Sequence, residues 1–250
     1  MELVMKFVKP ENSLSDFVES FWMLDNASES DKEVVILPDG RIDLLLSKSS
    51  IEPFNITLLG IGTQPEQVTI SPKAIIYAIS FKLLAVEYIF RNTVSDILDY
   101  GKKMPDHFWD FNVNDLNDFG SFKEKASRKI SSLLTEEVDS RKKKLFDLIY
   151  VSKGTLPVDK LSAEVGWSSR QINRYFNHQF GASLKTYCCI LRFRASFTQI
   201  KEGKLFPELN FTDQSHFIKE VKRFSGVLPK ELSKNQSDRF IQLSGGMPEN

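Results

Sequence analysis

Through the first eighty residues the apolar positions come in short runs or alternate with polar ones. From about residue 113 they recur at three- and four-residue steps. The first pattern predicts strands and the second predicts helices. The strand-like runs are VVILPDG (34–40), RIDLLLS (41–47), ITLLGIG (56–62), QVTI (67–70) and AIIYAISF (74–81). An earlier run over 14–24 carries Phe17, Val18, Phe21 and Trp22. Turn signals at Pro38-Asp39-Gly40, Pro53, Pro65 and Ser71-Pro72 separate these runs, which together predict a small antiparallel sheet or open barrel. Helix-like stretches follow over 83–90 and 93–100.

Leu116, Phe119, Phe122, Ala126, Ile130, Leu133 and Leu134 then mark a helical face over 113–138. Beyond residue 144 almost the whole chain reads as helix. The segments are 145–154 closing at Gly154, 158–165 ended by Gly166, 169–181 capped by Ser168, a long helix over 184–202 stopped by Gly203, 213–226, and a short helix opened by Pro229. The fold class is therefore α+β: an N-terminal sheet or open barrel with helices, then an all-α C-terminal domain. The expected organisation is a sensory or dimerisation-type domain over 1–140, a helical domain over 141–240 and a tail over 241–250. Residues 1–138 carry enough apolar pattern for a core of their own.

Charge changes this picture. Equal totals of 33 basic and 33 acidic residues hide an asymmetry: residues 1–140 hold 14 Lys and Arg against 23 Asp and Glu, and residues 141–234 hold 18 against 8. The balances are thus −9 and +10. A basic half is the footprint of a phosphate-backbone partner; equally, the two halves could simply attract each other. The cluster Arg141 to Lys144 opens the basic half, and Lys142 within it is expected to contact phosphate evenly across sequences.

Other chemistry is sparse. No run approaches 18 uncharged apolar residues, so no membrane helix is expected. The first residues lack a secretory pattern, which points to the cytoplasm. Cys188 and Cys189 are adjacent within a helical segment and are expected as reduced thiols. His107, His178 and His216 lie far apart, with no metal-site spacing. Gly60-Ile61-Gly62 is too short for a dinucleotide fingerprint, and neither a nucleophile elbow nor a P-loop occurs. No catalytic residue, cofactor or metal is expected. Asp39-Gly40, with Asp43 close by, is explained by a tight turn.

Residues 158–180 have the anatomy of a helix-turn-helix: a short helix, a glycine turn and a second amphipathic helix. Ile172, Phe176 and Phe180 line one side, while Arg170, Asn173 and Arg174 lie on another. Arg can bond guanine at two points and Asn can do the same to adenine. An ordinary solvated helix face has the same pattern. A second such segment, 213–225, buries Phe217, Val221 and Phe224 and shows Gln214, Ser215, Lys219, Lys222 and Arg223. Two such helices joined by a helix of about 20 residues, roughly 30 Å long, could enter successive major grooves.

Three stretches carry a family resemblance: LSAEVGWSSRQINRYFNHQFGASLKTY (161–187), ILRFRAS (190–196) and FTDQSHFIKEVKRFSGVLP (211–229). Through them residues 145–233 resemble the DNA-binding region of the AraC/XylS family. FVESFWML (17–24), ILPDGRIDLLLS (36–47) and SFKLLAVEYIF (80–90) resemble a recurrent partner domain of that family, often of unassigned ligand. The resemblance implies a cytoplasmic bacterial transcription regulator that binds double-stranded DNA. It implies base reading by Arg170, Asn173 and Arg174, then Gln214, Ser215 and Lys219, with Ser168, Ser169 and His216 as phosphate or capping groups. It leaves room for a small-molecule effector of the N-terminal domain, a homodimer, and RNA polymerase if the protein activates. One departure stands out. Only 15 residues separate Ala195 from Phe211, about four fewer than the family has, with Pro207 and Asn210 among them. The supporting helix of the second unit should therefore be shortened, leaving the first unit to dominate base readout. The alternative is a regulator that has lost specific DNA binding and acts through a protein partner.

Overall fold

The runs of the N-terminal half form two antiparallel sheets in the computed structural model, which describes residues 3–206, 211, 213–236 and 239–244. The larger sheet contains β1 (Val4–Val8), β2 (Val18–Asn26), β4 (Ile42–Lys48), β5 (Asn55–Leu59), β7 (Ala74–Phe81) and β8 (Gly101–Lys103), in the order β1-β2-β7-β4-β5-β8. A second, two-stranded sheet pairs β3 (Lys32–Ile36) with β6 (Glu66–Ile70). The large sheet does not close.

Side chains alternate across a strand, so directly paired residues share a face. Leu44, Ile79 and Phe21 are aligned, as are Leu46, Tyr77 and Met23. This face receives helix α1 (Phe119–Leu133). Phe122 packs edge-on against Phe21 at 6.5 Å and at a tilt against Tyr77 at 5.5 Å. On the opposite face Leu24 joins Val34, Ile70 and Ala74 between the two sheets.

Helix α1 is shorter than the 113–138 segment expected. A single turn at Val113–Leu116 precedes it, and Asp118 then breaks the chain and caps α1 by accepting from Ser121 N–H at 2.6 Å. The stretch 83–90 contains a π-type turn at Val86–Phe90, and 93–100 holds one turn at Ser95–Ile97. Strands β1 and β8 had no counterpart among the expected strands. Both lie at edges of the large sheet; β8 is three exposed residues and no residue of β1 is fully buried, so neither carries an apolar pattern to read.

The helical half comprises α2 (Ser140–Val151), α3 (Val158–Val165), α4 (Ser169–Phe180), α5 (Leu184–Ala195), α6 (Phe197–Lys201), α7 (Gln214–Ser225), α8 (Pro229–Lys234) and α9 (Ile241–Ser244). The long connecting helix is interrupted. The chain leaves helical pairing at Ser196, which is wholly buried and whose hydroxyl donates to the Phe193 carbonyl at 2.6 Å. The 12 residues of α5 span only about 18 Å.

One buried apolar cluster runs through both halves, from Leu14 and Phe21 to Phe176, Phe193 and Phe224. Tyr187 on α5 is central to the junction. Its hydroxyl donates to the Gly40 carbonyl at 3.1 Å and lies 3.3 Å from the Tyr150 hydroxyl, which in turn accepts from Leu83 N–H at 3.1 Å. Gly40 has φ +78°, and a Cβ there would stand 3.0 Å from Tyr187 and 3.2 Å from Leu191. The Pro38-Asp39-Gly40 turn is thus also the point where the sheet docks on α5.

Candidate nucleic-acid interface

The first helix-turn-helix is built by burial and capping. Leu161 and Val165 of α3 and Ile172, Phe176 and Phe180 of α4 are buried, with Phe146 of α2 packed 5.8 Å from Phe176. Gly166 makes the turn at φ +69°. Ser168 caps α4 in a reciprocal box, its hydroxyl accepting from Gln171 N–H at 3.2 Å while Gln171 accepts from Ser168 N–H at 2.8 Å.

This burial leaves one side of α4 facing solvent. Arg170 and Arg174 are exposed, and neither has an ion-pair partner among the described residues. Asn177 and His178 extend the stripe by one turn, and Gln171 flanks it. Extending the 170–174 step by three and four residues would have found them. Ser169 and Asn173 sit at the margin, half-buried, and the Asn173 amide donates to the Ser169 carbonyl at 2.9 Å. That bond uses one of the two Asn173 amide hydrogens and leaves the second, with Oδ1, for a base.

In the second unit Phe217, Val221 and Phe224 are buried, and Phe224 stacks on Phe193 of α5 at 5.3 Å. Gln214, Ser215, Lys219 and Lys222 are exposed, and neither lysine has an ion-pair partner among the described residues. Asp213 caps α7 through His216 N–H at 2.8 Å, and the His216 ring packs edge-on against Phe211 at 5.8 Å. His216 therefore sits in the capping and packing arrangement. Residues 203–206, 211 and 213 are not helical, so no described residue between Lys201 and Gln214 supplies a supporting helix beyond the single turn position at Glu202. Pro207 and Asn210 lie outside the described residues.

The basic cluster is spent differently from expectation. Lys142 pairs with Glu87 and Lys143 pairs with Asp16 at 2.8 Å, both across the domain junction. Lys144 holds the end of α3, reaching the Glu164 carboxylate at 2.9 Å and its carbonyl at 2.7 Å. Arg141 bonds Asp139 at 2.8 Å, and that bond draws the Asp139 carboxyl down to about 2. Lys142 is thus corrected from a free phosphate contact to a domain-docking residue. Part of the charge asymmetry is mutual attraction of the halves; Arg170 and Arg174 of α4 and Lys219 and Lys222 of α7 are among the cations that form no ion pair among the described residues.

Glu87 also accepts from the Tyr175 hydroxyl of α4 at 3.1 Å. Val94 N–H donates to the Gln179 carbonyl at 2.9 Å, and Gly181 at φ +73° brings its backbone against Ser95, where a Cβ would meet the Ser95 carbonyl at 2.8 Å. The C-terminal end of α4 is thereby seated on the N-terminal domain, while its exposed stripe faces away. A groove of about 450 Å³ beside that stripe is lined by Arg141, Trp167, Gln171, Arg174, Tyr175 and His178, with the Arg141 guanidinium 5.6 Å from the Trp167 ring.

Deeper in the junction Glu19 collects three cations: Arg194 at 2.5 Å, Arg41 at 3.3 Å and Lys82 at 4.0 Å. Arg41 also reaches Asp39 at 3.6 Å. Burial pushes the Asp39 carboxyl up against the pull of Arg41. Burial and the neighbouring Asp39 raise Asp43 to about 6, although the Ser80 hydroxyl donates to it. Cys188 and Cys189 are buried and unlinked, and burial pushes the Cys188 thiol up to about 12. No group of three or more His, Cys, Asp or Glu among the described residues could hold a metal ion. No described helix is long and apolar enough to cross a membrane.

Comparison with known proteins follows the two halves unevenly. Residues 6–101 match the family model described as "Domain of unknown function (DUF6597)". That stretch spans the large sheet from within β1 to the start of β8. No curated protein matches the chain in sequence. Among solved structures, ToxT from Vibrio cholerae O395 aligns at 14% identity and a TM-score of 0.43, covering 98% of this chain and 98% of that one. The same protein bound to (E)-4-(8-methylnaphthalen-1-yl)but-3-enoic acid aligns at 14% identity and a TM-score of 0.45, covering 93% and 98%. An unsaturated-fatty-acid-bound ToxT from strain SCE256 aligns at 12% identity and a TM-score of 0.39, covering 92% and 93%.

Proposed function

We propose that the chain is a sequence-specific DNA-binding transcription regulator in which α4 reads bases and α7 adds mainly backbone contact. The observation that carries this reading is the stripe of cations without ion-pair partners on α4, Arg170 and Arg174, matched by Lys219 and Lys222 on α7. Cations left unpaired on a helix that a capping box and a phenylalanine core hold rigid suit docking in a polyanionic groove. Arg170 and Arg174 supply two-point donors for guanine, and Asn173 the pair for adenine. Ser169 sits beside them on α4, and Gln214 and Ser215 begin α7. Gln171 and His178, around the adjoining groove, suit sugar-phosphate contact on the strand beside the reading stripe.

The rival reading, a regulator acting only through a protein partner, calls for an apolar patch on this face. The large exposed apolar side chains among the described residues are Val4, Ile51, Tyr100, Val113, Val151, Phe206 and Leu228, and none lies on α4 or α7. In the N-terminal domain the space between the sheets is filled by Leu24, Val34, Ile70 and Ala74. That filling favours a positioning or dimerising role over an effector cavity inside the sheets. The test is selection of bound sequences from random duplexes by the full chain, followed by a salt series. Affinity should fall steeply with salt as phosphates release counterions. Absence of duplex binding at low salt defeats the proposal.

A further inference from the structure

Strand β3 pairs with β6 along one edge. Its other edge would be an open row of backbone donors and acceptors, the kind of edge that recruits another strand. In this molecule the last described residues occupy it. Val35 N–H donates to the Arg239 carbonyl at 2.7 Å, and Val35 pairs in parallel with Phe240. The chain then turns into α9, and the Gln242 side chain continues the ladder in place of backbone. Its Oε1 accepts from Leu37 N–H at 2.9 Å, and its Nε2 donates to the Leu37 carbonyl at 3.0 Å. Phe240, Ile241, Gln242 and Leu243 are all buried, and Ile241 completes the cluster of Leu24, Val34, Ile70 and Ala74 between the sheets.

We propose that residues 239–244 are a detachable clasp, one β-bridge and a helical turn added in cis, that ties the second helical unit to the N-terminal sheet. The mechanical link is explicit. Asn235 closes α8, and its Oδ1 accepts from Phe240 N–H at 2.8 Å while its Nδ2 donates to the Phe240 carbonyl at 3.3 Å. Leu232 of α8 is wholly buried in the helical core. A groove of about 680 Å³, lined by Glu33, Leu228, Lys230, Lys234 and Arg239 among others, runs beside the clasp. Three hydrogen bonds and three buried apolar side chains are set against the ordering of six residues. These opposing contributions are of the same order. That near-balance lets an element open locally while the rest stays folded.

The clasp also answers the shortened second unit. Helix α7 packs against α8, and docking α8 on β3 through Asn235 and Phe240 holds that neighbour in place. The edge of β3 is thus a peptide-acceptor site whose occupant is this chain's own C-terminal segment.

Hydrogen exchange on the full-length chain tests this without requiring duplex binding. Ile241→Asp removes the apolar plug, and the milder Gln242→Ala removes only the two side-chain bonds. Ile241→Asp should speed exchange by about tenfold or more in two places together, 35–37 of the sheet domain and 214–234 of the helical unit, leaving β2, β4 and β7 protected. Gln242→Ala should produce a smaller rise in the same two places. Faster exchange at 35–37 with 214–234 unchanged would show a passive tail and overturn the proposal. So would loss of protection throughout β2, β4 and β7, because Ile241 would then be an integral core residue rather than a detachable one.

Discussion

Replacing Gly40 and, separately, Gly166 by alanine measures how tightly the sheet is docked on the helices. Both glycines hold a left-handed backbone, at φ +78° and +69°. An L side chain there costs about 1–2 kcal/mol. At Gly166 a Cβ meets nothing within 4 Å, so that strain is the whole folded-state effect. At Gly40 the Cβ would press on Tyr187 at 3.0 Å and Leu191 at 3.2 Å. Tyr187 is 1% exposed and its hydroxyl is bonded on two sides, so the ring has nowhere to go. Overpacking of this kind adds ~1–3 kcal/mol. The expected losses are therefore ~1–2 kcal/mol for Gly166→Ala and ~2–5 for Gly40→Ala. The loss of unfolded-state freedom is common to both substitutions and cancels in the comparison. For a chain of this size the difference corresponds to roughly 2–12 °C in Tm. Thermal unfolding followed by circular dichroism, with Trp22 and Trp109 reporting the sheet domain and Trp167 the helices, reads both the shift and its extent. One shared core predicts coincident transitions in the native protein. Equal Tm shifts for the two variants would refute the docking role of the turn.

Arg174→Ala should weaken binding to a selected duplex by ~1–3 kcal/mol and relax preference at one base pair; equal losses on selected and random DNA would reassign it to phosphate. Ser215→Ala or Gln214→Ala should cost less than ~1 kcal/mol, and a larger loss there than at Arg170 or Asn173 would show that the second unit reads bases fully. Lys142→Ala should leave the salt dependence of duplex binding unchanged and lower stability by about 1 kcal/mol, because it leaves Glu87 without its cation; a shallower salt slope would return Lys142 to the DNA interface. Asp43 gives a pH prediction. Its folded carboxyl is held near 6 against 3.8, so the folded state keeps a proton that the unfolded chain has lost. Stability from this group is full below about pH 4 and is lost as pH rises through 6, and Asp39 shifts in the same direction. Asp43→Asn should flatten that fall, recovering at most about 3 kcal/mol near pH 7; urea midpoints at pH 4.5 and 7 that respond alike in both proteins would contradict it.

Much of this molecule was local, and local physics is legible in sequence. Helix α3 lies where Leu161, Val165 and Gly166 place it, and α4 begins at the Ser168 cap. Strand β7 coincides with AIIYAISF because a strand paired on both sides and buried reads as a continuous apolar run. The α4 stripe followed from helical spacing alone. The tertiary structure decided the rest, because those outcomes depend on partners distant in the chain. Lys142 looks like any other residue of a basic run until Glu87 is folded against it. Asp39-Gly40 reads as a turn, and nothing nearby says that Tyr187, 147 residues on, will donate to it. The helix over 184–202 shows no break in its pattern, yet it is interrupted at the buried Ser196. Residues 241–243 read as the start of a tail because so few residues carry no period, and their burial exists only because β3 has an edge to fill. Spacing along the chain specifies which face a residue occupies; which charges are neutralised and which remain for a partner is settled only when distant segments meet.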